Sequence, residues 1–312
     1  MASTEPAQKP GSQRRFLSDP RSGLDPFRPL EPECQVVQFS HLLLPDDLRK
    51  AGELIRPRPD VQLYVYGLAS RDLEFLEHFR GLRRLQLTLY DLEDVGGLAH
   101  IADTLEEFTF GPTKKTFSLR FLKSLPQLRR LFLAGHKKDI AAIGSAPHIT
   151  RLGLSMITLP DLSAILPLSQ LSELSILLGG TRDLDLLPRF KKLEVLTLMR
   201  ITKMADLGVL AELRALKKLH LDWMRNVTAM PSFAPLAALS RVELDTMKGL
   251  SDLSPVAAAP MLQELSVTNM PQLTADSFRC LVGHPKLAKL WAYTGRSRVN
   301  EQVKDMFPGI AQ

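Results

Sequence analysis

Cysteine is scarce: two residues, Cys34 and Cys280, in 312, placed near opposite ends of the chain. They are poor partners for one bridge, which excludes a disulfide-stapled fold and fits a reducing cytoplasm. Long apolar runs are missing. Stretches such as Ile176 to Leu178 and Val256 to Ala259 fall far short of the ~20 residues of a membrane helix, so a spanning segment is excluded. The opening MASTEPAQKPGSQRRFLSDPRSGLDPFRPL has no apolar core of the kind a secretory signal carries, so export by that route is not expected. The chain also contains no HExxH, CxxC, GxGxxG, GxxxxGK[ST] or GxSxG, the patterns that would place a metal, a phosphate or a nucleophile. Its seven histidines are scattered without metal-ligand spacing. No catalytic residue, cofactor, metal or small-molecule substrate is expected. Cys280, in DSFRCLVGH, should be a buried small apolar residue, and Cys34 the more exposed of the two.

What is present is a mixed charge, Lys+Arg 40 against Asp+Glu 34, and a repeat. The phrase LxxLxL or a close variant begins at Leu82, Leu105, Leu128, Ile149, Leu171, Leu193, Leu216, Leu239, Leu262 and Leu287, with a degenerate copy at Asp60. Eleven starts, 21 to 25 residues apart, lie inside the period of stacked repeats in which no single unit can bury its own apolar side chains. Within each phrase the fourth and sixth residues face one way and the third, fifth and seventh the other, the period of a strand.

Between phrases a small polar residue precedes an apolar one: Asp72-Leu73, Asp94-Val95, Ser118-Leu119, Asp139-Ile140, Asp161-Leu162, Asp183-Leu184, Asp206-Leu207, Ser232-Phe233 and Asp252-Leu253. Such side-chain oxygens accept from the free amides of a beginning helical turn. Each repeat should therefore return through a short helix or 3₁₀ turn, which Pro126, Pro147, Pro167, Pro188 and Pro285 would end.

These phrases resemble the leucine-rich-repeat family, and the short period is similar to its internalin-like and phosphatase-regulator-like classes. The resemblance implies an α/β solenoid: an arc with a parallel β-sheet on the concave face and short helices, 3₁₀ turns and loops on the convex face. It covers residues 60–295. Residues 31–59, with the strand-like CQVVQF and the amphipathic PDDLRKAGELI, read as an N-terminal cap, 296–312 as a C-terminal cap, and 1–30, poor in apolar residues, as a disordered tail. One departure stands out. The asparagine that such repeats carry three residues after the last strand leucine is replaced by Thr113, His136, Ile157, Gly179, Ile201, Met224, Met247 and Met270. Irregular coils are expected there, with backbone groups satisfied by neighbouring backbone, caps or water.

The resemblance also implies a partner held on the concave face, most often another protein. Interface anchors favour Trp, Tyr and Arg, and the outward positions supply three groups. Tyr64, Tyr66, Arg84, Arg130, Phe132 and Arg151 mix aromatics with guanidinium groups and suit an acidic partner. His220, Asp222, Trp223, Glu243 and Asp245 form an acidic and aromatic group. Trp291 and Tyr293 stand near the end. A surface polarised in this way favours a protein with its own charge pattern over a uniform phosphate backbone. Two other readings stay open at this point: nucleic-acid binding through the arginine-rich first half, and an enzyme built around His220 with Asp222.

Overall fold

The structure, a computed structural model, describes residues 13–17, 25–201 and 203–310. It divides into two compact units, Met1–Asp139 and Ile140–Gln312. In the first, six parallel strands follow one another in chain order: β1 (Arg14–Phe16), β2 (Val36–Phe39), β3 (Gln62–Tyr66), β4 (Arg84–Thr88), β5 (Glu107–Phe110) and β6 (Arg130–Ala134). In the second there are seven: β7 (Arg151–Ser155), β8 (Glu173–Leu177), β9 (Val195–Met199), β10 (Lys218–Asp222), β11 (Arg241–Asp245), β12 (Glu264–Thr268) and β13 (Lys289–Tyr293). From β4 on, every strand begins at the third residue of its six-residue phrase, and the fourth and sixth residues point into the core. Leu85, Leu87, Leu219 and Leu221 are all essentially inaccessible. Burying each such side chain stabilises the stack by about 1.5–3 kcal/mol relative to leaving it in water.

The return path is built as the polar–apolar pairs predict. Six aspartates accept through Oδ1 from the amide two residues on: Asp72 from Glu74 (3.0 Å), Asp94 from Gly96 (2.8 Å), Asp161 from Ser163 (2.8 Å), Asp183 from Asp185 (3.0 Å), Asp206 from Gly208 (2.7 Å) and Asp252 from Ser254 (2.8 Å). Ser118 and Ser232 do the same through Oγ. Behind all of them except Ser232, whose return is made of turns, lies a 3₁₀ turn, such as Glu74–Phe79, Gly96–Ile101 or Gly208–Glu212, or the one-turn helix α2 (Ser254–Ala257); α1 is the earlier Pro45–Ile55 helix. Asp139 departs from the pattern. Its carboxylate accepts from Ser118 Oγ (2.5 Å) and sits 3.4 Å from Arg120.

In the second unit the missing asparagines do not produce irregular coils. The residue after each of β7 to β12 is held left-handed: Met156, Leu178, Arg200, Trp223, Thr246 and Asn269 have φ between 51° and 55°. This turns each amide onto the last strand residue of the following coil, with Met156, Leu178, Arg200, Trp223, Thr246 and Asn269 donating to the carbonyls of Leu177, Met199, Asp222, Asp245, Thr268 and Tyr293 at 2.9–3.0 Å. The next position then points inward, burying Ile157, Ile201, Met224, Met247 and Met270. A left-handed residue with a Cβ costs roughly 1–2 kcal/mol. The hydrogen bond, about 1 kcal/mol net, and the buried Ile or Met, about 1.5–3 kcal/mol, offset it.

The coil after β8 solves the same problem with a hydroxyl. Thr181 is fully buried, and its Oγ1 accepts from the Leu159 amide at 3.0 Å. Thr181→Val keeps the shape and orphans that buried amide, so it should destabilise by about 1–3 kcal/mol, seen as a lower urea midpoint, whereas Thr181→Ser should recover most of the loss.

Each unit carries one longer helix packed on its strands and turns. In α1, Leu48, Ala51 and Ile55 are buried and the helix packs against the turn Glu74–Phe79. In the second unit α3 (Ser297–Met306) buries Val299 and Val303 and packs against β13. It is tied down by Asn300, whose Oδ1 accepts from Thr294 N (3.0 Å) and Thr294 Oγ1 (2.7 Å).

Two expectations are corrected. Residues 1–30 read as a disordered tail, yet Arg14–Phe16 form β1 in register with Val36–Gln38; residues 1–12 and 18–24 lie outside the described residues. The cause is a buried arginine. Arg15 is 5% exposed, and its guanidinium donates to the carbonyls of Pro26, Arg28 and Pro29 and pairs with Glu31 at 2.5 Å. The two cysteines are also reversed. Cys34 is inaccessible because it faces inward just before β2. Cys280 is exposed, because Phe278 and Leu281 take the inward positions of its 3₁₀ turn.

Candidate interaction surface

Because side chains alternate across a strand, the residues opposite the leucines form the open face of each unit. On the first unit, Tyr64 and Tyr66 stack on each other with ring centroids 4.9 Å apart, and Gln62 donates to Gln86 at 2.7 Å. Arg84 and Arg130 both reach one carboxylate between them, Glu107, at 3.1 and 2.8 Å. Phe132, directly beside Thr109, is half-buried. The sequence-predicted aromatics and arginines are thus brought onto one face, with the two arginines sharing a single carboxylate. Arg151 belongs to the second unit, where it pairs with Glu173 at 3.0 Å.

On the second unit the ion pairs continue. Glu243 accepts from Lys218 (3.1 Å) and Arg241 (2.7 Å), with His220 Nδ1 3.7 Å from its other oxygen. Arg241 also reaches Glu264 (3.2 Å), which Lys289 meets at 2.8 Å. Burial pushes the Glu243 carboxyl up, but the bond from Lys218 and the charges of Lys218, Arg241 and His220 outweigh it and leave it below the ordinary value. Glu264 is held low chiefly by the bond from Lys289.

Asp222 and Asp245 are register partners on β10 and β11, and their environments differ. Asp245 is pushed up by burial, but hydrogen bonds from Thr246, Asn269 and Thr268 outweigh that and hold it low; Thr246 Oγ1 lies at 2.6 Å and Asn269 Nδ2 at 3.0 Å. Asp222 is raised, first by burial and then by the charge of Asp245. Trp223 follows in the left-handed turn, half-buried, with the guanidinium carbons of Arg200 and Arg225 at 4.4 and 5.0 Å from its ring. Trp291 lies on β13 with the Lys289 ammonium 5.9 Å from its ring, and Tyr293, 58% exposed, ends the same strand.

The structure adds residues that reading the charged and aromatic positions missed. Leu177 and Met199 occupy the same row as Asp222, each the seventh residue of its repeat. Arg200, with Met156 and Leu178 (47% and 45% exposed), lines the turn edge beside them. The seventh position was the signal: it is outward by the same period-2 rule that marks the third and fifth.

His220 and Asp222 point to one face of β10, but the carboxylate within ion-pair distance of the imidazole is that of Glu243. Among the described residues no set of three or more His, Cys, Asp or Glu side chains is placed to hold a metal ion, and no helix is long and apolar enough to cross a membrane.

The sequence matches no family model and no curated protein. Solved structures do match. An internalin, InlF, from Listeria monocytogenes aligns over 84% of this chain and 74% of its own, at 18% identity with a TM-score of 0.56. The functional domain of InlJ from the same species, which includes a cysteine ladder, aligns over 82% of this chain and 57% of its own, at 13% identity and a TM-score of 0.50. At these identities the likeness is one of fold. The chain therefore has a leucine-rich-repeat fold similar to that of the internalins, with its strands parallel, most of its returns 3₁₀, and in the second unit a left-handed hydrogen-bonded turn where an asparagine is expected.

Proposed function

We propose that the chain is a non-enzymatic protein-interaction scaffold of the cytoplasm that docks a partner protein on the open face of its strands. The observation that carries this reading is the face itself. Tyr64, Tyr66 and Phe132 in one unit, and His220, Asp222, Trp223, Trp291 and Tyr293 in the other, are fixed in register by the strand ladder with at least part of their surface free. A side chain held by its backbone loses little entropy on binding, which is what makes such a surface a docking site. The exposed, unpaired thiol of Cys280 suits a reducing compartment.

A nucleic-acid reading needs free cations, and Arg84, Arg130 and Arg151 each sit within 3.1 Å of a glutamate. Phosphate would have to displace those carboxylates. An enzyme built on His220 would need a nucleophile in reach, and none of the interactions of His220 supplies one.

The test is affinity capture from native lysate, with cross-linking to map the contact. Protein partners should be retained, with cross-links on strand residues. Trp223→Ala, which removes a ring already stacked by two arginines, should weaken retention by about thirtyfold if it is an anchor, the loss typical of a hot spot. Recovery of nucleic acid alone, or cross-links confined to the 3₁₀ side, would refute the reading.

A further inference from the structure

We infer that the row Leu177, Met199, Asp222 and Asp245 is a docking strip for a protein segment that presents a lysine or arginine side chain beside a bulky apolar one. This rests on the scaffold reading and specifies the chemistry of the partner.

The four residues are consecutive register partners on β8, β9, β10 and β11, so they lie side by side at about 4.8 Å per step. Half the row is apolar and half-buried, and it is widened at the turn edge by the exposed side chains of Met156 and Leu178. The other half carries two carboxylates whose surroundings differ from those of the remaining strand carboxylates. Glu107, Glu173, Glu243 and Glu264 each have a lysine or arginine within 3.2 Å. Among the described residues Asp222 has no ion pair or hydrogen bond to its side chain, and the hydrogen-bond partners of Asp245 are neutral, Thr246, Asn269 and Thr268, while His220 acts on both carboxylates by charge alone. Arg200, which acts on Asp222 by charge, stacks its guanidinium against the Trp223 ring at 4.4 Å.

Charge complementarity settles the occupant. A wholly apolar segment laid on the strip would cover Leu177 and Met199 but would strip water from two adjacent anions without replacing it, a cost that burial without a partner always carries. An acidic segment or a phosphate would add like charge to them. A cation between the two carboxylates satisfies both, and its aliphatic stem continues the apolar contact begun at Met199. Burial and the charge of Asp245 raise the Asp222 carboxyl above its ordinary value; an arriving ammonium or guanidinium opposes that push.

The experiment is a selection of displayed random short peptides on the full chain, followed by fluorescence anisotropy with the synthetic winners. The winners should place Lys or Arg next to Leu, Ile, Met or Phe. Their affinity should fall with added salt and drop about tenfold or more both in a D222N/D245N variant and when the peptide's basic residue becomes Glu. The peptide substitution needs no change in the protein, so the test holds even if the double variant folds poorly. Winners without basic residues, winners indifferent to both changes, or no winners at all would overturn the docking strip. Winners of another composition that Trp223→Ala or Tyr64→Ala releases would overturn the strip while leaving the scaffold reading intact.

Discussion

Gly97→Ala should be a severely damaging single-methyl change in the first unit, lowering stability by at least about 3 kcal/mol, the upper end of overpacking costs. Gly97 is buried in the 3₁₀ turn Gly96–Ile101, against the turn of the preceding coil. A Cβ there would overlap the backbone carbonyl of Leu73 and lie 2.7 Å from the Glu74 amide nitrogen. Backbone cannot swing aside as a side chain can. Separating the coils would also pull Leu98 and Ile101 from the Leu73 and Leu76 layer, all four of which are buried, and stack stability is carried by such neighbour contacts. Gly81 makes the contrast. Its φ is +89° and a Cβ would meet nothing within 4 Å, so Gly81→Ala should cost only the conformational strain, about 1 kcal/mol. Urea unfolding of both variants followed by circular dichroism measures the difference. A Gly97→Ala midpoint equal to that of Gly81→Ala would show that the coils are not in backbone contact there.

That contact was not legible in the sequence, although much of its frame was. The strand positions followed from leucine spacing alone, because burial of the fourth and sixth residues is set by the period of the strand. The aspartates of the return turns were equally plain, since a carboxylate beside a free amide has one common use. The left-handed turns after β7 to β12 were hidden for the opposite reason. Met156, Leu178, Arg200, Trp223 and Thr246 are residues that avoid φ near +50°, and the conformation is imposed by the carbonyl of the next coil rather than by local preference. Strand β1 was hidden because its anchor is polar: no hydrophobic pattern announces Arg15, held by three carbonyls and Glu31. On the open face, the sequence placed Tyr64, Arg84, Asp222 and Trp223 by register but gave no account of charge. Which carboxylates are paired depends on neighbours 21 to 25 residues away, such as Arg84 with Glu107 and Lys289 with Glu264.

His136 should make the chain lose stability on mild acidification, before the carboxylates titrate. It occupies the place of an absent asparagine, is 1% exposed, and stacks on Phe110 at 4.0 Å with the planes 9° apart. Its Nε2 donates to the Gly111 carbonyl at 2.9 Å, which leaves Nδ1 as a buried acceptor nitrogen with no partner. Burial lowers its pKa below the ordinary 6.5, against a smaller upward pull from the bond to Gly111. The folded chain thus resists a proton that the unfolded chain accepts. Below about pH 6.5 the unfolded state binds more protons, so stability falls with decreasing pH, by at most about 1.4 kcal/mol per unit from this one group, until the folded-state value is passed. Glu243, Asp245 and Glu264 are held below their ordinary values, and their contribution is lost only at lower pH, near and below the carboxylate range. His136→Phe preserves the stacked ring and removes the titration while leaving the Gly111 carbonyl unpaired. The variant should therefore be less stable than the wild type at neutral pH by about 1 kcal/mol, and the gap should close or invert by about pH 5. Chemical denaturation at a series of pH values tests this, and parallel losses in the two proteins between neutral pH and pH 5 would rule His136 out as the cause.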